Sequence, residues 1–144
     1  MNLINKVKNN PRLLRFGLIG GVNTALDFGL LFGFKALGVP VELANIFSTG
    51  IAFIFSFFAN KKYTFKATGT NIIREIILFI IVTLFGLWVI QTIIILLLQP
   101  PLLALFHNGA VALFVAKLIA TLASLTWNYL LYSRLVFTSP KPTS

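Results

Sequence analysis

Four runs of apolar residues, about Phe16 to Ala36, Val41 to Ala59, Ile76 to Leu98 and Val111 to Leu131, dominate this chain of 144 residues. Each is close to the roughly 20 residues that a helix needs to cross the hydrocarbon core of a bilayer. No water is available there to hydrogen-bond a bare backbone, so such runs must close their own hydrogen bonds as helices. The expected fold is an all-α integral membrane protein of four transmembrane helices. Composition agrees: 58% of residues are hydrophobic and only 10% are charged, too few polar side chains to coat a water-exposed sphere. Gly38-Val39-Pro40 turns the first pair, Gln99-Pro100-Pro101 is expected to end the third helix, and Lys61 to Asn71 forms a polar loop. Loops this short force neighbouring helices antiparallel. Residues 1–144 read as a single membrane domain with no appended soluble domain.

The net charge of +9, from 12 Lys+Arg against 3 Asp+Glu, does not describe a nucleic-acid surface. The cations form no helix face interleaved with stacking aromatics. Instead they fill the gaps between apolar runs, at positions 6, 8, 12 and 15, then 61, 62, 66 and 74, then 134 and 141. Lys35 alone edges the opposite loops, and Lys117 lies inside the fourth run. By the positive-inside rule both termini and the middle loop face the cytoplasm. The first run continues past signal-peptide length without an Ala-x-Ala cleavage site, so it is expected to persist as a helix. With no Cys there is no disulfide framework and no thiolate metal site. His107, beside Asn108 and Gly109 in an expected external loop, has no second ligand or carboxylate for a metal or a catalytic dyad. Gly17 to Gly21 is no dinucleotide fingerprint, because no strand precedes it. No catalytic residue, metal or cofactor is expected.

Comparing residue n with residue n+72 shows an internal repeat. Lys62 falls on Arg134, Phe65 on Phe137, Ser56 on Asn128, Thr49 on Thr121 and Asn45 on Lys117. The expected architecture is two parallel two-helix repeats, an arrangement that transporters use with substrate at the interface of the halves. The first and third runs match weakly, since a shift of 59 sets Asn23 opposite Val82 and Asp27 opposite Gly86.

Polar residues inside the runs are the candidate site. Gly20, Asn23, Thr24 and Asp27 share one arc of the first helix. Lys117, Thr121, Ser124, Asn128 and Tyr132 share one face of the fourth, and Asn45, Thr49, Ala52, Ser56 and Asn60 one face of the second. Ser, Thr and Asn are consistent with ordinary interhelical hydrogen bonding, worth about 0.6 to 2 kcal/mol each. An ionisable group at bilayer depth instead needs a partner or a wet cavity. Lys117 is the candidate partner of Asp27, either in a structural salt bridge or as the second of two substrate contacts. The pairs Gly17-x-x-x-Gly21 and Gly29-x-x-x-Gly33 offer close-packing seams, the second suited to a homo-oligomer. Lys62 and Arg134, each followed by aromatics, read as headgroup-level anchors or as donors to a lipid phosphate, with Asn60 and Asn128 near to receive sugar hydroxyls.

Arg15-Phe16-Gly17 through Gly20-Gly21-Val22-Asn23-Thr24 to Asp27 resembles the start of the GtrA-like proteins, small four-helix bacterial membrane proteins. Asn60-Lys61-Lys62-Tyr63-Thr64-Phe65 is similar to that family's ending of the second helix, and Asn128 to Phe137 to that of the fourth, with Tyr63 and Leu135 where the family often has Trp. The likeness covers roughly residues 12 to 138. It implies a place in the bacterial cytoplasmic membrane and a part in cell-surface polysaccharide synthesis, commonly as a flippase for a sugar on polyprenyl phosphate. On that reading Lys62, Arg134 or Arg15 holds phosphate at the cytoplasmic face. The sugar passes along Asn23, Asp27 and Asn128, the prenyl tail stays in lipid, and Lys117 receives the phosphate near the outer face. Two rivals are a small multidrug-type proton-coupled exporter using Asp27, and a non-transporting subunit that holds a membrane glycosyltransferase.

Overall fold

The computed structural model describes residue 5 and residues 8–138; Lys6 and Lys141, counted above among the topological cations, lie outside them. The described residues are all helix, turn and loop, and four helices are long and apolar enough to cross a membrane. They form two compact units, residues 1–68 and residues 69–144, each a helical hairpin.

In the first hairpin α1 spans Pro11–Ala36. The side chain of Asn10 accepts from the Leu13 N–H at 3.3 Å, and Pro11 occupies the first turn, where its missing N–H costs nothing. Gly38, at φ +84°, ends α1. The Gly38 N–H donates to Lys35 O and the Val39 N–H to Phe34 O, each at 3.0 Å, the paired closure that a left-handed glycine permits. Pro40 follows at once and α2, Val41–Ala59, runs back along α1. It continues as a wide, π-helical turn, Asn60–Thr64, closed by the Phe65 N–H on Asn60 O at 2.9 Å.

In the second hairpin α3 extends over Ile72–Phe106. Asn71 caps it by accepting from the Arg74 N–H at 3.1 Å. A wide turn, Phe85–Ile90, interrupts it before the α-helical pattern resumes at Gln91. Pro100 and Pro101 lie inside this second segment, so the helix does not stop at Gln99 as the sequence suggests. Proline's fixed φ is itself helical; it forfeits N–H bonds, a loss that membrane helices absorb locally. The stop comes at His107, at φ +50°, whose N–H donates to Leu103 O at 2.9 Å. Asn108 then accepts from the Ala110 and Val111 N–H groups at 3.0 and 3.2 Å and starts α4, Gly109–Leu131. His107 is thus the left-handed corner between two helices rather than part of an open loop. After Leu131, α4 ends in a third wide turn, Tyr132–Val136, closed by the Phe137 N–H on Tyr132 O at 2.8 Å.

Both hairpins bury small side chains every fourth residue. In α2 the stripe is Ala44, Ser48 and Ala52, leading to Asn60 and Thr64; in α4 it is Ala112, Ala116, Ala120 and Ser124, leading to Asn128 and Tyr132. Small residues at this spacing let helix backbones approach closely where lipid offers no hydrophobic driving force. At a shift of 72 residues Ala44 corresponds to Ala116, Ser48 to Ala120, Ala52 to Ser124 and Asn60 to Tyr132, and both stripes end in a wide turn sealed by Phe65 or Phe137. Asn45, Thr49 and Lys117, placed by the sequence on the seams themselves, are exposed alongside the buried stripes.

Candidate functional site

In the first hairpin the cations gather at the end where α1 begins and α2 finishes. The Arg12 guanidinium lies over the Phe65 ring, 5.7 Å from its centroid, and Phe16 meets the same ring edge-on at 6.4 Å. Arg15 is half-buried one turn along; Lys62 is exposed, with its ammonium 5.3 Å from the Tyr63 ring. Asn60 is buried and its amide is occupied. Nδ2 donates to Ser56 O at 2.9 Å, and Oδ1 accepts from Thr64 Oγ1 at 3.0 Å. This residue builds the turn that carries Lys61 and Lys62.

Within the span of α1, Thr24 returns its hydroxyl to Gly20 O at 3.0 Å. The half-buried Asp27 accepts from Thr49 Oγ1 on α2 at 3.5 Å, a long contact with a neutral donor. Asn23 Oδ1 is buried without a hydrogen-bond partner. Beyond the local helix backbone and chain neighbours, nothing lies within 4 Å of where a Cβ would stand on Gly17, Gly20, Gly21, Gly29 or Gly33.

The second hairpin holds a continuous polar chain. Lys117 Nζ donates to Gln91 Oε1 at 2.6 Å, and Gln91 Nε2 donates to Ser124 Oγ at 3.0 Å. The amide orientation follows from chemistry, because an ammonium has no lone pair and only the carbonyl oxygen can face it. Gln91 is 5% exposed. Further along, Asn128 is 7% exposed and its Oδ1 has no partner; a Cβ on Gly86 would stand 2.9 Å from that oxygen. The Trp127 indole N–H donates to Val82 O at 3.2 Å, just before the wide turn. Thr83 and Tyr132 share a short hydrogen bond, with Phe79 stacked on the Tyr132 ring at 4.6 Å. Arg134 is exposed in the final wide turn.

Asp27 and Lys117 therefore each have a polar partner inside their own hairpin. Ser124, Asn128 and Lys117 are legible in the sequence as site candidates; the inward-facing Gln91 and the close approach at Gly86 are not. On a regular helix Gln91 would point about 180° away from Val82, and one extra residue in a turn removes about 100° of that. The wide turn Phe85–Ile90 is what brings Gln91 inward. A lone glutamine in an apolar run was the available signal, since a polar side chain at bilayer depth normally has a partner.

Two membrane-length hairpins with polar side chains inside their spans and cations at their ends define a small polytopic membrane protein. Residues 15–137 match the family model described as GtrA/DPMS, transmembrane domain, and the chain belongs to that family. Its members are generally non-catalytic membrane proteins, and membership points to a membrane role in polysaccharide or lipid-linked sugar synthesis. The chain is also 31% identical over 120 residues, 81% of its own length and 72% of the relative's, to an uncharacterized membrane protein, YngA, of Bacillus subtilis strain 168.

Proposed function

We propose that this protein translocates a polyprenyl-phosphate-linked sugar across the bacterial cytoplasmic membrane for cell-wall or surface polysaccharide glycosylation. The observation that carries the reading is the polar chain Lys117–Gln91–Ser124, together with the unpaired oxygen of Asn128, inside a hairpin of membrane-spanning length. Buried polar groups at that depth are costly and mark ligand pathways. Exposed Lys62 and Arg134 and half-buried Arg15 supply charge-assisted donors for a lipid phosphate. Asp27, Asn23 and Asn128 supply acceptors for sugar hydroxyls along the spans, and the prenyl chain remains in lipid. Asn60 holds the turn that carries Lys62 and acts on the ligand only through it. Matching small-residue stripes and wide turns at a shift of 72 support two parallel repeats.

The test is reconstitution in vesicles with a polyprenyl-phosphosugar on one leaflet. The wild-type protein accelerates its appearance on the other leaflet over empty vesicles, and an Asp27→Ala, Lys117→Ala double variant returns the rate to background. Wild-type translocation by the folded double variant removes these residues from the pathway; no acceleration by the wild-type protein sinks the transport reading. A second reading rests on the glycines of α1, where a Cβ would meet nothing within 4 Å beyond the local helix backbone and chain neighbours. Here the protein is a non-transporting subunit that docks a membrane glycosyltransferase against those faces, and a transferase copurifies with a protein that translocates nothing.

A further inference from the structure

Lys117 lies about 12 Å along α4 from Gly109, well inside the span, and its ammonium is held by a neutral amide. The second hairpin contains a single acidic residue, Glu75. That residue sits about 24 Å along α3 from Gln91, at the start of the helix and buried against Gly69. Among the described residues of this hairpin no carboxylate pairs with Lys117. A glutamate at position 91 would reach the ammonium equally well and would cancel its charge; glutamine orients the ammonium and leaves the charge in place.

We propose that Gln91, anchored by Ser124, is a positioning residue that presents Lys117, a cation with no carboxylate partner among the described residues of its own hairpin, to a phosphate-type oxyanion at bilayer depth. The proposal deepens the transport reading, on which it rests, by naming the group that Lys117 meets and the residue that aims it. A compact ammonium suits a single phosphate oxygen as a point charge. The exposed side chain of Lys117 leaves the remaining N–H donors available to such a ligand. The Gln91–Ser124 bond fixes the amide, so the ammonium needs little reorganisation when the anion arrives.

The experiment labels lysine with carbon-13 at Cε in the full chain in micelles and assigns Lys117 by its loss in Lys117→Arg. Monododecyl phosphate is expected to shift the Lys117 resonance saturably, and Gln91→Glu to weaken that binding about tenfold or more while unfolding at the same or a higher temperature. A merely structural Gln91 would tolerate the carboxylate, so wild-type affinity in folded Gln91→Glu overturns the proposal. So does a wild-type Lys117 that neither monododecyl phosphate nor inorganic phosphate shifts. Equal response to inorganic phosphate supports the oxyanion site and identifies free phosphate as a ligand; response to the alkyl phosphate alone identifies a lipid headgroup. If Gln91→Glu does not fold, Ser124→Ala, which removes only the anchor, is expected to weaken binding about threefold, and unchanged affinity overturns the proposal. Phosphate binding at Lys117 without lipid translocation would overturn transport and leave this site standing. Translocation with no phosphate response at Lys117 would do the reverse.

Discussion

Asn128 Oδ1 is a buried acceptor with no donor, an arrangement that costs stability and that a fold has no reason to keep for its own sake. Asn128→Leu is therefore expected to leave the unfolding midpoint in micelles unchanged or to raise stability by about 1 kcal/mol, while translocation of the lipid-linked sugar falls to background. Loss of both would make Asn128 a framework residue. Gly86 is the reason Asn128 fits: a Cβ there would meet Oδ1 at 2.9 Å and the Trp127 ring at 3.2 Å. Gly86→Ala is expected to cost about 1–3 kcal/mol, and part of that cost should vanish in an Asn128→Ala background, a coupling that a double-mutant cycle reads directly. Gly69 stands in the same relation to Glu75, whose Oε1 lies 2.5 Å from a Cβ built at that glycine.

The helical elements owe their ends to local chemistry and their faces to packing. Asn10, Asn71 and Asn108 each cap a helix start with a side-chain oxygen, and Gly38 and His107 each end a helix in the left-handed region. Histidine holds that conformation at a cost that glycine avoids. His107→Gly is expected to stabilise by about 0.5–1 kcal/mol in denaturant unfolding, and His107→Val to destabilise by a similar amount. Along α4, Ala116 is buried in the small-residue stripe whereas Leu122 is 65% exposed. Ala116→Leu should lower stability by about 1–3 kcal/mol and Leu122→Ala should scarcely change it. The Gly-Val-Pro turn was legible because it depends on two residues, Gly38 and Pro40. The Pro100-Pro101 pair misled because proline also conforms to a helix once its lost N–H bonds are tolerated.

For the whole molecule, cations gather where α1 and α3 begin and where α2 and α4 end. A reporter fused after Thr138 is expected to be active in the cytoplasm, and activity on the external side would invert the topology. The amino-acid sequence by itself determined four spans, their antiparallel pairing within hairpins and the grouping of charge at their ends. Apolar length, turn residues and charge clusters are local quantities that lipid and water read without help from packing. Only the tertiary structure decided which residues face inward. Near the α1–α2 and α3–α4 corners the buried stripes run one position away from the polar ones, through Ala116 and Ala120 rather than Lys117 and Thr121, and they join the polar faces only at Ala52 and Ser124, because close helix packing selects small side chains before polar ones. The wide turn in α3 shifts the helical phase and swings Gln91 from the lipid side onto Lys117 and Ser124. No residue pattern announces that shift, since it is stabilised by the partners it reaches: the Trp127 indole on Val82 O, Asn128 against Gly86 and the Gln91 amide N–H on Ser124 Oγ.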